Sequence, residues 1–231
     1  MVSQFVSSHE VGLLGDLDFA FPEGTHAIGR LDSHSEGLLL CTTDKRVTRL
    51  LFQGEVPHVR TYLVMVKGLV APETLLQWEQ GVSISAKMGG TYVTQPCHAS
   101  LFEMERAVEF YPNLIRLPEY GRFTWIQLSL TEGKYHQVRK MVSALGHKCI
   151  RLIRISIEGI ELGQLPPGGI MEMDDATFFE KLRLKSSNKN AINTIDTENT
   201  EGTENTAVGK KLIKHYSQPQ PQPFDRLRAA P

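Results

Sequence analysis

The stretch that decides the reading is Ile28–Thr43, IGRLDSHSEGLLLCTT. One carboxylate, Asp32, sits between an arginine and the polar run Ser33, His34, Ser35 and Glu36. Gly37 follows, then the apolar run Leu38, Leu39, Leu40, ending in Cys41, Thr42 and Thr43. A short apolar run bounded by turn residues reads as a buried strand. The polar segment ahead of it reads as a loop pinned at both ends by packed structure. Such loops are where chemistry tends to sit, although an Asp there also serves simply to order a turn through its own backbone.

Working outward, Asp44 is placed to cap a helix whose apolar positions Val47, Leu50 and Leu51 fall on one face. Lys45, Arg46 and Arg49 are left for the other face, either as a solvated surface or as an RNA-facing patch. Upstream, Val11, Leu13, Leu14, Leu17 and Phe19 suggest a short amphipathic helix. Downstream, Arg60 to Gly68 alternates as a strand, with Tyr62, Val64 and Val66 on one side and Leu63 and Met65 on the other. Pro72 to Gln80 is a helix with Pro in its first turn, ended by Gly81. Short strands are expected near Val82–Ile84, Tyr92–Thr94 and Ala99–Phe102, and a longer one over Thr124–Leu130. Between the last two, Glu103 to Arg122 is an irregular excursion. With it go the aromatics Phe110, Tyr111, Tyr120, Phe123 and Trp125, which either stack on bases or pack the loop down.

After Thr131-Glu132-Gly133, the residues Val138, Met141, Val142 and Leu145 recur at helical spacing, and Gly146 closes that helix. Lys148 to Ile157 is the last main strand. From Lys185 to Asn205 there is almost nothing to bury, and Gln218 to Pro223 alternates Gln and Pro. Residues 185–231 are therefore expected to be a disordered tail on a domain of residues 1–184.

Composition narrows the function. The net charge of -1 argues against a protein that coats nucleic acid, so any RNA surface must be a local patch. Three scattered cysteines, Cys41, Cys97 and Cys149, have no metal-ligand spacing, so no metal is expected. They suit a reducing, cytoplasmic compartment. No apolar run approaches the roughly 20 residues of a membrane span, and no secretory leader is legible.

Three motifs in order resemble the RsuA/RluB/RluE/RluF family of pseudouridine synthases. GRLDSHSEGLLLCTTD is similar to the family's GRLD-x-D-S/T-x-G-L-L-x-x-T signature, with His34 where Asp is common. Arg60-x-Tyr62-x-Val64-x-Val66-x-Gly68 resembles a K-x-Y-x-V-x-V-x-G strand, with Arg for Lys. EGKYHQVRKM resembles E-G-x-x-x-Q-V-[RK]-R-M, and Leu152 and Arg154 match an R-L-x-R-x-x-I-G segment, with Glu158 ahead of Gly159. The resemblance spans about residues 2 to 184, and the aromatic-rich insertion and the lack of a preceding S4-like domain are closest to the E-type large-subunit enzymes.

The resemblance implies an α+β fold: a mixed, mostly antiparallel central sheet with flanking helices and a cleft across it. It implies Asp32 as the catalytic residue, ion-paired to Arg139. Tyr62 is implied as the platform for the flipped base, Leu152 as pocket wall and Arg30 as a phosphate contact. The implied substrate is a uridine in 23S rRNA, isomerised by a monomer without any cofactor. Family members usually begin with a strand ending in K-P-x-G. Here Met1 directly precedes Val2, so that strand is expected to be missing and a sheet neighbour left unpaired. Two other readings stay open: an inactive, truncated RNA-binding relative, and a glycosidic hydrolase using Asp32 with Glu36 as a carboxylate pair.

Overall fold

The computed structural model describes residues 3–54, 56–103, 111, 121–184 and 210–215. The buried run after Asp32 becomes strand β2 (Glu36–Thr42), all seven residues of which are buried. Side chains alternate across a strand. Leu38 and Leu40 accordingly enter the core on one face, while Leu39 and Cys41 join Leu14, Phe5, Leu17 and Phe21 on the other. β1 (His26–Ile28) pairs antiparallel with β2, so Gly29–Ser35 is the connection that carries Asp32.

The other strands of the main sheet are β3 (Arg60–Lys67), β6 (His98–Leu101), β7 (Phe123–Leu130), β8 (Lys148–Ile157), β9 (Ile160–Glu161), β10 (Ile170–Met173) and β11 (Lys210–His215). Among the described residues the order is β10-β11-β2-β8-β3-β7-β6, with β1 on β2 and β9 on β8. Among the described strands only β2 and β8 run parallel; the fold is α+β with a mostly antiparallel sheet. A separate hairpin, β4 (Ser83–Ser85) and β5 (Thr91–Val93), stands off the main sheet.

Four α-helices are described: α1 (Arg46–Gln53), α2 (Pro72–Gln80), α3 (Gln137–Ala144) and α4 (Asp175–Lys181). α1 buries Val47 and Leu51 on the core face that takes Leu38 and Leu40. α3 buries Val138, Met141 and Val142 against the opposite face of β3 and β8, with Val64, Val66 and Leu152. Trp78 of α2 is fully buried there, and its indole N–H donates to the Met141 carbonyl at 2.9 Å. A buried indole needs such an acceptor.

Two expectations change, and one open alternative is decided in part. Val11–Phe19 is not an amphipathic helix; only a single 3₁₀ turn, Leu14–Asp16, forms. Leu14 alone of that turn is buried, so no apolar face is available to stabilise a longer helix. Tyr111, Phe123 and Trp125 belong to the core rather than to a stacking surface, whereas Phe110 and Tyr120 lie outside the described residues. Finally, Lys210–His215 falls within the expected tail yet pairs antiparallel with β2 on one side and β10 on the other. The sequence signal there is the short run Lys210–Lys214 with two apolar residues. It becomes a strand because β2 offers unpaired backbone groups, which must be satisfied. The expected unpaired neighbour is thus not found at β2; the remaining tail lies outside the described residues.

Candidate active site

Asp32 is held by its backbone. Its carbonyl accepts from the Ser35 amide at 2.8 Å, closing a turn. The preceding Leu31 amide donates to Ser3 Oγ at 2.9 Å, and Ser3 Oγ bonds back to the Leu31 carbonyl at 3.1 Å. Gly37 lets β2 start immediately after this turn. Its φ is +104°, and a Cβ there would stand 2.3 Å from the Arg154 carbonyl oxygen of β8. No other residue permits that approach.

Around Asp32 lies a cavity of about 610 Å³. Its walls come from the Gly29–Ser35 connection, the end of α1 and the loop after it, β3, the β7–α3 loop and β8. Four of the five residues singled out in the sequence line it: Arg30, Asp32, Tyr62 and Leu152. Tyr62 and Val64 sit opposite Arg154 and Leu152 in the β3–β8 ladder, next to a register shift between Thr61 and Tyr62. Such an irregularity re-aims the side chains beside it. With its amide oxygen turned toward Arg30, Gln4 accepts from Nη1 at 2.6 Å and from Nη2 at 2.7 Å.

Arg139 differs from expectation. It makes no ion pair with Asp32 among the described residues; its guanidinium donates to the backbone carbonyl of His34 and reaches Cys149 Sγ at 3.6 Å. The side chain next to the carboxylate is instead His136, whose Nε2 is 3.6 Å from Asp32 Oδ1. His136 immediately precedes α3 in the left-handed conformation, φ 53°. Arg139 thus grips the turn that carries Asp32, two residues from the carboxylate itself.

Glu36 also separates from Asp32. Its carboxylate receives Arg151 Nε at 3.0 Å and Nη2 at 2.6 Å, with both side chains almost wholly buried. Burial raises the Glu36 pKa, and Arg151 and Arg139 oppose that rise. Glu36 does not line the cavity, so no Asp32–Glu36 carboxylate pair faces a substrate.

Several lining residues lay in the sequence motifs but were assigned no role there. Arg60 and Arg154 are buried cations in the wall. Burial lowers the Arg60 pKa; Tyr62 opposes this, Arg154 adds to it and Glu158 opposes it. Buried Gln137 accepts from the Lys134 amide at 2.8 Å and donates to Glu132 at 2.6 Å, fixing the β7–α3 loop. The signal for this lock was the E-G-x-x-x-Q stretch of the third motif, which holds Glu132 and Gln137 five residues apart at the start of a helix. Arg60 and Arg154 stood on motif positions but were given no role, because strand alternation does not distinguish a surface arginine from one turned into a pocket.

Comparison with known proteins agrees with this geometry. Residues 17–144 match the family model for RNA pseudouridylate synthase. An uncharacterized RNA pseudouridine synthase of Aquifex aeolicus is 30% identical, over 71% of this chain and 59% of its own length. The ribosomal large subunit pseudouridine synthase E of Xanthomonas axonopodis pv. citri is 31% identical over 65% of this chain and 76% of its own. A crystal structure of a pseudouridylate synthase superposes with a TM-score of 0.54 at 26% identity, over 71% of this chain and 63% of that one. The chain spans about three fifths of the Aquifex relative and three quarters of the Xanthomonas one. On its motifs, its cavity and these likenesses, the chain belongs to the RNA pseudouridylate synthase family, on its RsuA/RluB/RluE/RluF side.

Proposed function

We propose that this protein isomerises a uridine of large-subunit (23S) ribosomal RNA to pseudouridine, with Asp32 as the catalytic residue. The reading is carried by one observation: Asp32, Tyr62 and Leu152, from three separate segments, line a single cavity of about 610 Å³. A pocket of that size holds one nucleotide with room for its neighbours' backbone. The names of the E-type relatives supply the large-subunit assignment.

In the reaction the C1'–N1 bond breaks, the base turns, and C5 bonds to C1'. Atoms balance without a cofactor. Asp32, one third exposed and held by its backbone turn, is placed either to attack the ribose or to take a ribose proton as the glycosidic bond breaks. The target must leave its stack, at a cost of a few kcal/mol. Tyr62 offers the flipped base a replacement surface, Leu152 closes the wall, and Arg30 meets backbone phosphate. Arg139 acts through the His34 carbonyl as a positioning residue. We assign the catalytic domain to residues 1–184 together with the Lys210–His215 strand, acting as a monomer in the cytoplasm, with the remainder as its tail. No described helix is long and apolar enough to cross a membrane.

The test is isomerisation of unmodified 23S rRNA by the chain and by Asp32→Asn, with pseudouridine mapped by chemical reactivity. Pseudouridine at a discrete position, absent with the variant, is the expected result. Release of free uracil, or full activity in Asp32→Asn, sinks the assignment.

A further inference from the structure

Beside the cavity, outside the residues assigned above, lies an aromatic surface with its own cations. Tyr135 is 52% exposed, unusual for a ring this size in a structured loop. It stacks on His136, ring centroids 3.9 Å apart and planes 17° from parallel. His136 in turn reaches Asp32. Lys87 and Lys140 each place Nζ 5.3 Å from the Tyr135 ring centroid. They come from different elements. Lys140 lies on α3, its ammonium donating to the Ser85 carbonyl at 2.7 Å, while Lys87 lies in the exposed turn of the β4–β5 hairpin. Two independent segments therefore bring charge to one exposed ring, on a chain whose net charge is -1. Hydrophobic packing does not explain the ring, and no carboxylate ion-pairs with either lysine among the described residues.

We infer that Tyr135, with Lys87 and Lys140, is a subsite for the nucleotide flanking the target uridine. This rests on the proposed function. Flipping one base leaves its neighbour with an exposed face, and a tyrosine ring restores the lost stacking. Lysines around the same ring match a base that brings its own phosphate, and they move outward onto that phosphate as the base enters. The His136 stack holds the ring beside Asp32, so the occupant is the adjacent nucleotide of the same RNA strand.

The test measures binding rather than turnover. The chain carrying Asp32→Asn is bound to unmodified 23S rRNA transcript across a salt series. Tyr135→Leu and Tyr135→Phe are added singly, and Lys87→Gln with Lys140→Gln as a pair. Base–aromatic stacking predicts about 5-fold or more weaker binding for Tyr135→Leu, with Tyr135→Phe near the parent. Loss of the two lysines predicts a salt slope shallower by about 0.7 per phosphate contact on single-stranded RNA. Thermal melting confirms that the variants fold. If Tyr135→Leu binds as tightly as its parent, or the lysine pair leaves the slope unchanged, the inference is overturned. If these effects appear but the unsubstituted chain forms no pseudouridine, the surface binds RNA, the catalytic assignment falls, and with it the flanking-nucleotide role.

Discussion

Asp32 and Glu36 are four residues apart on the same turn and strand, and the fold treats them in opposite ways. Asp32 is one third exposed, fixed through its backbone and, among the described residues, met only by a histidine at 3.6 Å. Glu36 is buried and gripped by two guanidinium nitrogens of Arg151. A carboxylate locked into a bidentate pair has its oxygens occupied and cannot follow a reacting atom. One whose backbone is fixed while its oxygens remain open can. The difference separates a group free to meet a substrate, as the proposed function requires, from one that holds the sheet together.

The comparison breaks most sharply under substitution. Asp32→Asn is expected to lower isomerisation by about 10³-fold or more, the order seen when a catalytic group is removed. Its melting temperature should hardly move. Arg151→Met should do the reverse. It strands the buried Glu36 carboxylate and costs about 3–5 kcal/mol of stability at neutral pH, read by urea unfolding. The sign of its pH dependence follows. Glu36 already has a raised pKa from burial, and loss of Arg151 raises it further. The folded state then takes up a proton before the unfolded one does. Stability of Arg151→Met is therefore recovered as the pH falls through that raised value toward the ordinary carboxylate range. An acid-side loss in its place would show that Glu36 is not the group left unpaired.

A milder outcome is expected when both partners go. Glu36→Met with Arg151→Met replaces the pair by apolar groups of similar volume, and the double variant should lie within about 1–2 kcal/mol of the parent. If the double variant is as unstable as the single one, packing of Arg151 over Trp125, 5.9 Å from the ring centroid, matters more than charge. The smallest effect concerns the thiols. Burial pushes Cys41 up to about 12 and, as the largest cause, Cys97 and Cys149 up to about 11. At pH 8 all three are thiols in the native state. Alkylation should be slow until denaturant is added, with no change in isomerisation.

Much of this was legible without coordinates. The Leu38–Cys41 run announced a strand buried on both faces, because no polar residue interrupts it. The periods of β3 and α3 placed their buried sides correctly. Motif order, together with one carboxylate on a short turn, pointed to Asp32, Tyr62 and Leu152 before any distance was known. Period and turn chemistry are local properties, carried by neighbouring residues. What only the tertiary structure decided is which distant groups meet. It placed His136 rather than Arg139 beside Asp32, sent Arg139 to the His34 carbonyl, and removed Glu36 into the core with Arg151. It also put Lys210–His215 against β2 and gathered Lys87 and Lys140 around Tyr135. Each of those partnerships is set by where β2, β8 and α3 cross, and a side chain's partner across a crossing leaves no periodic trace in its own segment.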